Sequence, residues 1–189
     1  PGGGSVSALT GSLGASLISM VANLTHDNKI FFDLKKEMNK VGLEIQSLKD
    51  NLLLLVDEDT KAYNQVLATN RLSASSEKEL RQKKELIFEA NQYAINVPFK
   101  VMSLSLKVLE LGKNLVTKGN PSSVSDVGVA SEVALAATRG AAMNVLINLI
   151  NIENSKDRAL KEKEVLELTK KAESIHQFIY KKTLKIINK

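Results

Sequence analysis

The chain reads as an all-α protein: an up-and-down bundle of about six helices forming one domain over residues 1–189. Three observations carry this reading. Apolar residues recur at three- and four-residue steps along nearly the whole chain, and no strand-like alternation competes with them. Only 10 Gly and 3 Pro punctuate 189 residues, and aromatics make up 4%. Leu, Ala, Lys and Glu dominate, which favours helix. At 43% hydrophobic and 25% charged, the chain has enough apolar material for one core.

The elements follow in order. Residues 5–24 form a first helix with small residues (Gly4, Ala8, Gly11, Ala15, Ser19, Ala22) on one stripe, which lets another backbone come close. No Lys, Arg, Asp or Glu occurs before Asp27, so a signal peptide or membrane span has to be weighed. Ser, Thr and Asn are interspersed through this helix and no basic segment precedes it, so it reads as the buried helix of a soluble protein. The start at Pro1, without an initiator Met, reads as a point partway into a longer polypeptide.

A second helix spans about Phe32 to Thr69. A third, Glu77 to Ala94, has Ser75 or Ser76 to cap it and acids in its first turn. A fourth begins at Pro98, since proline suits a first turn, and runs to Val116. The loop Lys118-Gly119-Asn120-Pro121-Ser122-Ser123 stops that helix. The fifth starts near Val124 and carries a second small-residue surface: Gly128, Ala130, Ala134, Ala137, Gly140 and Ala141. Helices one and five are therefore the expected central pair. The sixth, about Lys156 to Asn188, mixes Lys and Glu over an Ile/Leu stripe and holds most of the excess charge.

Composition also excludes chemistries. With no Cys and two His, 26 and 176, there is no disulfide framework, no thiolate and little from which to build a metal site. Cysteine-free composition fits a cytoplasmic protein. A net charge of +5 with so few aromatics lacks the basic, stacking character of a nucleic-acid binder and suits a small acidic ligand. No Ser-His-Asp arrangement is discernible.

One residue breaks the core pattern of the second helix. The stripe Ile45, Leu48, Leu52, Leu55 continues to Asp59, then Tyr63 and Val66, while Asp57, Glu58 and Lys61 fall on the solvated side by helical phase. A carboxylate inside a bundle costs several kcal/mol unless hydrogen-bonded or protonated, and burial there would push its pKa towards the range useful for proton transfer. Tyr63, one turn on, can share its network. The alternative is a helix that leaves the core near Asp59 and exposes it.

Other candidates carry plainer readings beside the functional ones. Ser125 and Asp126 open the fifth helix, where capping and the helix dipole explain them, although such a terminus also suits a polar ligand. Gly2, Gly3 and Gly4 match a phosphate cradle only loosely but can present backbone amides. Asn144 and Asn148 lie one turn apart on an apolar stretch, where interhelical hydrogen bonds are the first explanation. Arg139 can hold a ligand carboxylate or pair with Glu132. His26, among polar neighbours, is assigned no chemistry.

Several segments together carry a resemblance: Pro1 to Ala8 (PGGGSVSA), Leu13 to Leu17 (LGASL), Met20 to Thr25 (MVANLT), Val56 to Tyr63 (VDEDTKAY), Val97-Pro98-Phe99, Gly119 to Asp126 (GNPSSVSD) and Asn144 to Asn148 (NVLIN). In this order and spacing the chain resembles the formiminotetrahydrofolate cyclodeaminase and methenyltetrahydrofolate cyclohydrolase family, from Pro1 to about Leu149. The resemblance implies a dimerising helical bundle acting on tetrahydrofolate without metal or cofactor, because folate itself carries the one-carbon unit. It implies Asp59 as the catalytic acid/base, with Gly3, Gly4, Tyr63, Ser125, Asp126 and Asn144 around the substrate. Basic residues at the rim would hold the substrate's glutamate tail, polyglutamylated or not. The leading reading it implies is the cyclodeaminase, a lyase of histidine degradation that converts 5-formiminotetrahydrofolate to 5,10-methenyltetrahydrofolate and ammonia by acid/base catalysis; the cyclohydrolase is the alternative, and a formiminotransferase domain before Pro1 stays open. From a different class, a non-catalytic helical dimerisation module would share the same bundle.

Overall fold

A computed structural model describes residues 2–189, and Pro1 of the glycine-rich start lies outside the described residues. Among the described residues there are five α-helices where six were expected: α1 (Gly3–Asp27), α2 (Lys35–Asn70), α3 (Glu77–Lys118), α4 (Val124–Asn148) and α5 (Ser155–Ile187), with short 3₁₀ turns at Lys29–Leu34, Pro121–Ser123 and Leu149–Asn151.

The difference in count arises at Pro98. The segments on either side of it, read as two helices, form one helix of 42 residues with Pro98 inside. Proline has no N–H for the carbonyl four residues back, and such an interior position normally costs about 3 kcal/mol or more. Here the orphaned carbonyl is that of Ala94, and Nδ2 of Asn148, reaching over from α4, donates to it at 2.7 Å. A side chain from a neighbouring helix thus supplies the missing bond, and α3 continues. The start of α3 is the anticipated cap: Ser76 Oγ accepts from the Glu79 N–H while the Glu79 carboxylate accepts from the Ser76 N–H.

Contacting residues show that consecutive helices run antiparallel. Ser5 of α1 meets Asp59 of α2, Asn114 of α3 meets Glu37 of α2, Ala94 of α3 meets Asn148 of α4, and Arg139 of α4 meets Glu173 of α5. Helices α1 and α4 are also antiparallel neighbours, joined through the small residues that the sequence places on both. A Cβ on Gly14 would lie 3.1 Å from the Ala130 carbonyl, so the two backbones are about as close as they can come. At the far end the Asn120 N–H donates to Thr25 Oγ1, tying the end of α1 to the start of α4.

The core fills the space between these faces. Ile18, Ile45, Leu52, Met102, Leu109 and Ile179 are among its fully buried side chains, so every helix but α4 contributes a large residue, and α4 contributes Ala130, Ala134, Ala137 and Val145. By length and composition, α1 and the segment from Pro121 to Asn151 are apolar enough to cross a membrane; in this fold they pack against each other.

Candidate active site

The first turn of α1 leaves backbone N–H groups without intrahelical partners, and its N-cap, Gly2, has no side chain with which to satisfy them. Asp59 fills that role from α2. Its Oδ2 accepts from both the backbone N–H and the hydroxyl of Ser5, each at 2.8 Å. The Ser5 hydroxyl also lies 3.0 Å from the Val56 carbonyl and 3.4 Å from Thr60 Oγ1. Asp59 therefore sits half-buried at the positive end of a helix, hydrogen-bonded, and not enclosed by apolar side chains as the core stripe alone implied. Gly4 makes this approach possible: a Cβ there would lie 2.0 Å from Asp59 Oδ1.

Asp59 opens onto a cleft of about 580 Å³ at the end of the bundle where α1 begins and α4 ends. Gly2 and Gly3 form one edge, Asp59, Thr60 and Tyr63 another, and Asn144, Asn148 and Asn151 face them. Ala62, Val66, Ala94 and Ile147 supply apolar surface between. Asp59 is the one carboxylate among these lining residues. A lone carboxylate against an apolar, amide-lined cleft suits a flat, polar-edged organic ligand. Among the described residues, no group of three or more His, Cys, Asp or Glu is placed to hold a metal ion.

Five of the seven residues singled out in the sequence meet here: Asp59, Gly3, Tyr63 and Asn144 line the cleft, and Gly4 seats the carboxylate. Tyr63 does so as an exposed side chain at the rim, a correction to its place on the core stripe, which passes instead through buried Ala62. Ser125 and Asp126 are not brought to this cleft within the chain. They lie in the first turn of α4, about 27 Å along the helix from Asn144, where an acid complements the helix dipole.

Several partners also differ from expectation. Arg139 pairs with Glu173, its Nη2 2.7 Å from Oε1, and not with Glu132. Glu58, read as merely solvated, accepts a hydrogen bond from the Tyr93 hydroxyl of α3 as well as from Lys61. The Lys61 ammonium and then the Tyr93 hydroxyl hold Glu58 below its usual range. The bond to Glu58, with burial second, pushes Tyr93 up to about 12. This clasp joins α2 to α3 beside Asp59. Asn148 makes the interhelical bond foreseen for it, whereas Asn144 Nδ2 donates within α4 to Gly140 O at 2.8 Å.

Ser5 and Thr60 were not anticipated at the cleft, and Asn148 was read first as an interhelical tie. Ser5 was visible as the residue after the glycine run, and Asn148 as one turn from Asn144, but each acquires its role from a contact more than fifty residues away.

The formiminotransferase-cyclodeaminase family profile matches residues 1–167. A methenyltetrahydrofolate cyclohydrolase from Methylorubrum extorquens is 32% identical over 168 residues, covering 89% of this chain and 79% of its own length. Formimidoyltransferase-cyclodeaminase of Gallus gallus is 31% identical over 91% of this chain, and that of Rattus norvegicus 32% over 86%. The chain spans only 32% and 30% of those two proteins. The crystal structure of formiminotetrahydrofolate cyclodeaminase from Thermotoga maritima matches with a TM-score of 0.80, covering 100% of this chain and 88% of that one at 27% identity. With a profile match across most of its length, relatives above 30% identity and the same helical fold, the chain belongs to the formiminotransferase-cyclodeaminase family.

Proposed function

We propose that the chain is a formiminotetrahydrofolate cyclodeaminase, converting 5-formiminotetrahydrofolate to 5,10-methenyltetrahydrofolate and ammonia, with Asp59 as its proton carrier. The observation that carries this reading is the placement of Asp59, the one carboxylate in a cleft otherwise lined by amides, a hydroxyl, a phenol and apolar groups. In the reaction N10 of the substrate attacks the formimino carbon and forms a C–N bond, while the C=N electron pair moves onto the formimino nitrogen. N10 gives up its proton and the formimino nitrogen gains two: one is the N10 proton, relayed, and the other is taken up from water. The C–NH3 bond then breaks as the N5 and N10 lone pairs close the methenyl cation. Asp59 accepts the first proton and delivers to the leaving nitrogen. The cleft holds the two nitrogens at reacting distance. Ser5 fixes the carboxylate that performs both transfers.

No cofactor enters this reading, since the folate brings its own carbon. Lysines at the rim and on α5 would hold an anionic glutamate tail, and a formiminotransferase, fused or separate, would supply the substrate in the cytoplasm. A homodimer completes the assembly. Val6, Leu9, Leu13 and Met20 are exposed on α1 at steps of three, four and seven, a seam that fits a second helix.

The second reading is methenyltetrahydrofolate cyclohydrolase, favoured by the 79% of that relative's length spanned by the chain. Water would replace N10 as the attacking group, and the same carboxylate would take its proton. Ammonia release from 5-formiminotetrahydrofolate, measured beside hydrolysis of 5,10-methenyltetrahydrofolate, separates the two: the first activity is expected to dominate, and hydrolysis alone would assign the cyclohydrolase. Activity on neither would leave the bundle as a non-catalytic dimerisation module.

A further inference from the structure

On the α4 side of the cleft, two asparagines one turn apart have already committed one amide N–H each to a backbone carbonyl. Asn144 Nδ2 donates to Gly140 O at 2.8 Å and Asn148 Nδ2 to Ala94 O at 2.7 Å. A carbonyl oxygen can be met only by the nitrogen side of an amide, so these bonds fix which way each amide is turned. Asn148 is the more tightly determined of the two, because Ala94 O is the very carbonyl that Pro98 leaves without a partner. Asn148 lines the cleft. Its Oδ1 bonds no described residue, nor is it among the buried polar atoms left without a partner, so it keeps some exposure to solvent.

We propose that Asn148 is a specificity residue for the ligand's ring system: held by the carbonyl that Pro98 orphans, it presents Oδ1 to an N–H donor on the bicyclic head of a reduced folate. Asn144 presents a second acceptor one turn away, about 5–6 Å between Cβ atoms, a spacing that suits two N–H groups along one edge of a fused ring. The proposal rests on the folate reading above. A ligand with no donor at that edge leaves the oxygen desolvated and unpaired, which is how a polar site rejects an analogue. Pro98 is thereby explained as well: its missing N–H creates the anchor that orients a ligand-reading side chain from another helix.

The structural and ligand-reading roles separate in a Pro98→Ala background, where alanine restores the N–H that Ala94 O lacks. The proteins compared are wild type, Asn148→Ala, Pro98→Ala and the double variant, each measured for thermal midpoint and for tetrahydrofolate affinity by calorimetry. Asn148→Ala is expected to lose both stability and affinity. The double variant is expected to recover the midpoint relative to Asn148→Ala while binding tetrahydrofolate about tenfold more weakly than wild type, whose asparagine keeps its anchor. Equal affinity of the double variant and wild type would overturn the ligand-reading role. A midpoint not recovered in the double variant would overturn the anchoring role. Failure of the wild type to bind tetrahydrofolate would instead overturn the folate reading on which the proposal stands.

Discussion

Gly4 and Asp59 are a matched pair: the carboxylate occupies the space where any other residue at position 4 would carry its Cβ, 2.0 Å from Oδ1. Alanine there must displace Asp59 or tilt α1. Gly4→Ala is therefore expected to cost about 1–3 kcal/mol of stability and to reduce turnover far more than its single methyl group suggests, as measured by denaturant unfolding beside an activity assay. The break that Asp59 makes in the core stripe was legible in the sequence, because an acid on an Ile/Leu stripe needs a reason. Its environment was not. Periodicity places a residue on a face of its own helix but is silent about which terminus that face meets, and here the start of α1 supplies donors in place of an apolar enclosure.

At the scale of the elements, the Glu58–Tyr93 bond clasps α2 to α3 next to the cleft. The raised pKa of Tyr93 works as a stability statement at high pH. An unfolded tyrosine releases its proton near 10, while the folded one retains it to about 12. The clasp therefore contributes fully below pH 10 and loses its contribution as pH rises through about 12. Wild type should lose thermal stability over that window, and Tyr93→Phe should lose measurably less, as followed by circular dichroism. Glu58 gives the acid counterpart: its pKa is lowered from an ordinary value of 4.5, so its contribution is present above that value and disappears as pH falls below it. Helix boundaries at caps and glycine-rich turns were readable because those signals are local, as Ser76 and Gly119 show. The continuity of α3 through Pro98 was not, since the donor that permits it sits fifty residues further along the chain.

For the molecule as a whole, pairing α1 with α4 through small residues brings two apolar helices together and still leaves a side of α1 uncovered. Val6, Leu9, Leu13 and Met20 remain exposed there. If a second copy covers this seam, Leu13→Lys should convert a dimer to a monomer in sedimentation velocity while leaving the helical circular dichroism of the chain unchanged. The same architecture gathers Gly3, Gly4, Asp59, Tyr63 and Asn144 from three helices to one end of the bundle and leaves Asp126 at the other. Motif order along a chain therefore does not by itself assemble a site. The proposed role of the gathered carboxylate is to carry the proton transfers of a folate one-carbon reaction. It is tested most directly by steady-state ammonia release from 5-formiminotetrahydrofolate, comparing wild type with Asp59→Asn, whose amide oxygen can still accept from Ser5. The variant is expected to keep its fold and its affinity for tetrahydrofolate while turnover falls by about 10²–10⁴-fold. Near wild-type turnover by Asp59→Asn would rule out Asp59 as the proton carrier.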